Sequence, residues 1–154
     1  MKATRFLLLL TLLILAVAAC QPGGQASPPA ADEAVLTVQG PEAEQTYTLE
    51  QLQALPATDV QSDDGSFTGV RLVDLLGDAG FDPDQIASVR VVALDGFSST
   101  YQADLFTRED AVLAYARAGG DLNADELPLR MVIPGQEGRM QPRQVARIEV
   151  TVEP

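Results

Sequence analysis

Residues Phe6 to Ala19 form a run of fourteen residues, interrupted only by Thr11, that is too short to cross a bilayer. At ~1.5 Å per residue a helix of that length falls well short of ~30 Å of hydrocarbon. With Lys2 and Arg5 ahead of it, the run reads as the apolar part of a secretory signal, so any folded domain must be built from residues beyond it. Gln21 to Glu33 (QPGGQASPPAADE) holds no large apolar side chain to offset its ordering entropy and reads as a flexible tether. The expected organisation is therefore a leader over 1–19, Cys20 and a tether over 20–33, and one globular domain over 34–154, long enough to bury a core without staples.

Val17-Ala18-Ala19-Cys20 places small residues directly before the only cysteine of the chain. This stretch resembles the lipobox of bacterial lipoproteins. The resemblance implies that the leader is cut before Cys20, that its thiol is diacylated, and that the protein sits in the cell envelope, held on the extracytoplasmic side of a bacterial membrane. Two or three acyl chains, at ~0.8 kcal/mol per buried CH₂, make such anchoring essentially permanent. The competing readings make Cys20 an ordinary residue beyond a normal cleavage site, or the run an uncleaved anchor.

Composition then removes whole classes of chemistry. With no histidine, an imidazole base and a His-ligated metal are excluded, and one cysteine forms neither an internal disulfide nor a multi-Cys metal site. The net charge of -12 repels a phosphate backbone, so nucleic acid is not an expected partner. Removing the leader takes Lys2 and Arg5 with it and makes the remainder more acidic still.

Within the domain, Val35 to Val38 reads as a strand closed by Gly40-Pro41. Thr48-Leu49-Glu50-Gln51 has the form of a capping box opening a helix that Pro56 stops. Ala57 to Ser62 reads as a strand, Asp63-Asp64-Gly65-Ser66 as a turn, and Val70 to Ala79 as a second helix ended by Gly80. Ser88 to Leu94 and Ser98 to Gln102 flank a hairpin signal at Asp95-Gly96. Asp104 to Asp110 reads as a short helical turn. Ala111 to Ala118 fits either strand or helix and is assigned to strand because Gly119-Gly120 follows; Leu129 to Ile133 and Gln144 to Val152 complete the set. The expectation is an α+β domain of mixed sheets, with six or seven strands and two principal helices.

The order of these motifs resembles the molybdopterin-binding domain of the sulfite oxidase family. The residues that carry it are Thr48-Leu49 with Leu55-Pro56, Phe67-Thr68-Gly69-Val70-Arg71-Leu72, Asp95-Gly96-Phe97, Gly120-Asp121-Leu122, Pro128 to Gly135 and Val145 to Val150. The resemblance implies a mixed-sheet fold and, in the enzymes, a pterin whose molybdenum is bound by one cysteine ahead of the position matched by Phe67. Here that segment, Ala57 to Ser66, reads ATDVQSDDGS and lacks sulfur. A carboxylate or amide does not reproduce a soft thiolate donor. The tyrosine that the enzymes carry near the metal falls on Phe97, with Tyr101 nearby, and the Lys that ends their pterin loop falls on Arg143.

Arg130, Arg139, Arg143 and Arg147 fall within eighteen residues of a chain poor in cations. Arg130, Arg139 and Arg143, with Gln141, are therefore the candidates for an anion or cofactor site; the alternative is that these arginines simply pair with the surplus of acids. Asp95 and the Asp63-Asp64 pair, flanked by Ser62 and Ser66, read first as turn residues, and Tyr101 and Tyr115 as packing residues. The expected function is a non-catalytic binding module for a small anionic ligand or an envelope protein. No cofactor is expected, although molybdopterin without a Cys ligand, and hence an oxidoreductase with an altered metal site, is the alternative. The lipobox reading has a direct check: Cys20→Ser is expected to abolish incorporation of labelled palmitate and move the protein from the membrane to the soluble fraction.

Overall fold

The computed structural model describes residues 32–153; the leader and most of the tether, Cys20 included, lie outside the described residues. Two five-stranded sheets, three short α-helices and two 3₁₀ turns make up the domain, which agrees with the expected mixture of sheets and few helices. The first sheet contains β1 (Ala34–Gln39), β2 (Glu44–Thr48), β5 (Ile86–Ala93), β6 (Ser98–Tyr101) and β10 (Val145–Val152), in the order β2-β1-β10-β5-β6. Only β1 and β10 run parallel; the other pairs are antiparallel. The second sheet contains β3 (Ala57–Ser62), β4 (Gly65–Arg71), β7 (Val112–Arg117), β8 (Gly120–Asp121) and β9 (Arg130–Val132). β4 lies along one edge of β7, while β8 and β9 share the other.

The capping box forms as expected at α1 (Leu49–Ala54). The Gln51 backbone N–H donates to Thr48 Oγ1 at 3.2 Å, and the Thr48 N–H donates to Gln51 Oε1 at 2.8 Å. The second helix is shorter than its apolar stripe suggested. α2 spans Leu72–Asp78, because Val70 and Arg71 stay in β4 and pair with Ala57, Leu113 and Val112. Its end is a Schellman cap with Gly80 at φ +90°: the Phe81 N–H reaches Leu76 O at 3.0 Å and the Gly80 N–H reaches Gly77 O at 3.1 Å. The expected turn over Asp104 to Asp110 is α3 (Ala103–Phe106). β2 was not expected, since three of its five residues are exposed and only Tyr47 is buried.

Leu36, Val38, Leu52, Leu72, Leu75, Val89, Val91, Phe106, Leu113, Met131 and Ile148 belong to the main core. A smaller cluster of Val60, Phe67, Val112, Ala114, Leu122 and Val132 lies on the other side of the second sheet. β7 is apolar on both faces because Leu113 enters one cluster while Val112 and Ala114 enter the other.

Gly69 marks where β4 and β7 come closest. A Cβ built there would lie 2.1 Å from Leu113 O and 2.5 Å from Ala114 Cα, beside the register shift between Thr68 and Gly69. Neither backbone atom can move without breaking the ladder. Gly69→Ala is therefore expected to lower stability by about 2 kcal/mol or more, read as a shifted denaturant midpoint at unchanged m-value.

Candidate functional site

Loop residues between β8 and β9, the β3–β4 turn, the β5–β6 hairpin and the 138–144 segment converge on one cavity of about 420 Å³. Its wall includes Asp64, Asp95, Phe97, Asp125, Arg130, Gln141, Arg143 and Gln144. Three of the four sequence candidates, Arg130, Gln141 and Arg143, thus line one space. Arg139 does not: its exposed side chain pairs with Glu137 at 2.8 Å, while its backbone carbonyl accepts from Ser99 Oγ at 2.5 Å. Arg147 lies on β10 and pairs with Glu149.

Arg130 is 2% exposed and belongs to a charge cluster that the sequence did not announce. Its Nη1 donates to Glu126 Oε1, and its Nη2 donates to Asp64 Oδ2 at 2.5 Å. Glu126, fully buried, also accepts from Arg117 Nε and Nη2 at 2.7 and 2.6 Å and from the Asn123 N–H at 3.1 Å. Both guanidiniums pack on the Phe67 ring, their central carbons 4.4 Å (Arg117) and 4.8 Å (Arg130) from its centroid. Arg117 also donates to Asp64 O at 2.9 Å, tying down the β3–β4 turn. The Nε of Arg130 is buried and has no acceptor.

The remaining wall residues are held by ordinary structure. Arg143, half-exposed, pairs with Asp125 at 2.5 Å. The Gln141 amide is spent on its own loop, donating to Gln136 O at 2.7 Å and accepting from the Ile133 N–H. Asp95 accepts from the Phe97 N–H at 2.9 Å, the turn role expected of it. Asp63 and Asp64 also sit in a turn, but Asp64 alone reaches Arg130. Tyr101 is fully buried and donates to Met140 O at 2.7 Å, with burial holding its hydroxyl well above the usual phenol range. Phe97, exposed at the cavity edge, brings no hydroxyl. Gln144 has φ +53°, unusual for a residue with a Cβ, where the chain turns from this wall into β10.

The donor chemistry does not fit a thiolate-held molybdenum. The segment on which the resemblance places the ligand cysteine contributes Asp64, a hard carboxylate already committed to Arg130. No group of three or more His, Cys, Asp or Glu placed to hold a metal occurs among the described residues.

Burial raises the pKa of Glu126, but Arg117, the Asn123 N–H and Arg130 outweigh it and pull the carboxyl down to about 2. A group lowered in the fold stabilises it above its unfolded value of 4.5, and that stability is lost as pH falls from there toward 2. Glu126→Gln is expected to cost about 3 kcal/mol at neutral pH, because buried Arg130 and partly buried Arg117 lose their counter-charge. Denaturant titrations should show this deficit shrinking below pH 4.5 as the wild-type carboxyl also loses its charge.

Comparison with known proteins agrees with this architecture. The sulfane dehydrogenase SoxCD of Paracoccus pantotrophus superposes with a TM-score of 0.70 at 21% identity, over 83% of this chain and 40% of that one, a likeness of fold. The present chain thus spans well under half of that protein's length. A search of curated proteins finds no match. The family described as oxidoreductase molybdopterin binding domain matches residues 60–154, more than half of the chain, and to that family this protein belongs.

Proposed function

We propose that this protein is a lipid-anchored binding module, in which the family's cleft serves as a polar pocket for a small anionic ligand and supports no redox chemistry at a thiolate-held metal. One observation carries the reading. Arg130, whose buried Nε has no partner, and Arg143 line the cavity, while the segment where a soft metal ligand is called for holds no sulfur and contributes only Asp64 to the wall. Guanidinium forks suit planar or tetrahedral oxyanions, and a segment without sulfur lacks the soft donor that the metal needs. The anchor at Cys20 places the pocket outside the cytoplasmic membrane, with the bilayer as a permanent partner. Family membership favours the competing reading, an oxidoreductase that holds molybdopterin without the thiolate.

The two readings separate in one preparation. The full chain is purified in detergent from a host that makes molybdopterin, then assayed for molybdenum, pterin and thermal stability. The binding-module reading expects less than stoichiometric metal and a phosphate-dependent rise in Tm of a few degrees that Arg143→Ala removes, because a ligand held only by the native state stabilises it. Stoichiometric molybdenum with sulfite-linked electron transfer overturns it in favour of the oxidoreductase. A metal-free protein that ignores phosphate but captures one constant envelope protein from membranes also overturns the small-ligand reading.

A further inference from the structure

Among the described residues only two large apolar side chains are exposed, Leu94 at 65% and Phe97 at 45%. Single exposed hydrophobics are ordinary on a protein surface, but these two flank one turn, Asp95-Gly96, and they do not stand alone. Leu94 borders a groove of about 340 Å³ whose wall also includes Val35, Leu127, Pro128 and Ala146. The turn closes through other groups: the Gly96 N–H donates to Ala93 O at 3.0 Å, and the Phe97 N–H to Asp95 Oδ1 at 2.9 Å. Its geometry therefore does not call for leucine or phenylalanine at these positions.

The position of this surface points to its partner. β1 starts, β5 ends and β10 starts at the groove, which Ala34, Leu94 and Ala146 line; beyond the far ends of the same strands lies a separate, smaller cavity lined by Pro41, Gln85 and Val152. The groove thus occupies the pole where the chain enters the domain, and Glu33 is part of its wall. Thirteen residues, Gln21 to Glu33, separate that pole from Cys20. Fully extended they reach at most about 45 Å, little more than the width of a domain of this size. A domain held to a bilayer through Cys20 therefore has its apolar pole tied closest to the lipid.

We propose that the Leu94–Phe97 turn and the groove beside it dock on the bilayer surface, as a second and non-covalent membrane contact. This contact rests on the proposed anchor at Cys20 and adds which face of the domain meets the membrane. It is apolar rather than electrostatic. A chain of net charge -12 is repelled by anionic headgroups, whereas Leu94 and Phe97 enter the boundary between headgroups and acyl chains by burying hydrocarbon. Two side chains alone hold a free protein only weakly, but the anchor keeps the surface at high effective concentration, so weak burial suffices. Because Phe97 also lines the cavity, docking sets the cavity edge beside the headgroups.

The chain contains no tryptophan, so one introduced indole is a unique reporter. Leu94→Trp, Phe97→Trp and, at the opposite pole, Gln85→Trp replace exposed side chains in the full chain. Each protein is purified from bacterial membranes and reconstituted into phosphatidylcholine vesicles with and without brominated lipid. The bromolipid is expected to quench the indoles at 94 and 97 at least about threefold more strongly than that at 85, with no change at high salt. Leu94→Asp added to Phe97→Trp is expected to bring quenching down to the Gln85→Trp level; quenching that survives it belongs to the indole itself and overturns docking by the native surface. Equal quenching of all three reporters in an anchored protein overturns the docked face and leaves the anchor standing. Reporters shifted to the blue yet unquenched do the same, because a protein then covers the turn. Release by salt overturns the apolar contact. A chain that carries no acyl mass and stays out of the vesicles overturns the anchor, and the docked face with it.

Discussion

A fully buried carboxylate, Glu126, clamped by two arginines is the constraint around which this half of the molecule is arranged. Removing a charge pair's solvent is costly, and the attraction between the partners compensates only when geometry and further hydrogen bonds are right. Here those requirements recruit almost every neighbouring element. β7 supplies Arg117, β9 supplies Arg130, β4 supplies the Phe67 ring on which both pack, and the β3–β4 turn supplies Asp64. The Glu126 backbone carbonyl then accepts from the Gln144 N–H at 3.3 Å, just ahead of β10, so the cluster also joins the second sheet to the first. The cavity wall inherits its shape from this junction.

The same cluster explains why a concentration of arginines in the sequence does not make a free positive surface. Arg139 and Arg147 each find a carboxylate two residues away on the chain, and Arg143 finds Asp125. In a protein of net charge -12 this is the expected fate of a cation, and at exposed positions each pair is worth little. What distinguishes Arg130 is depth rather than charge. Its pairing with Glu126 is sealed from water, its Nε lacks an acceptor, and its second acid is held from the solvent side.

Much of the fold could be read from the chain because its local signals are strong. The capping box at Thr48, the Schellman glycine at Gly80 and the Asp95-Gly96 turn use backbone groups whose needs are local. β2 escaped notice because an edge strand buries one side chain and leaves no periodic trace. The helical stripe from Val70 ran into β4 because apolar residues at a strand end and a helix start look alike until the pairing with β7 is known. For the site, residue types were legible and partners were not. Glu126 and Arg130 stand four apart, a spacing that suggests a helical pair, yet they meet through a loop and a strand. Asp64 lies sixty-six residues from Arg130, a contact that only the closed sheet creates.

Charge balance also bears on what this scaffold requires of a ligand. A pocket that relies on an anionic cofactor to neutralise its buried cations is left with uncompensated charge when empty, and folding and loading are then coupled. This domain neutralises its buried and partly buried arginines internally: Glu126 answers Arg117 and Arg130 from within, and Asp64 answers Arg130 from the rim. The fold therefore does not depend on an occupant to balance the charge of these arginines.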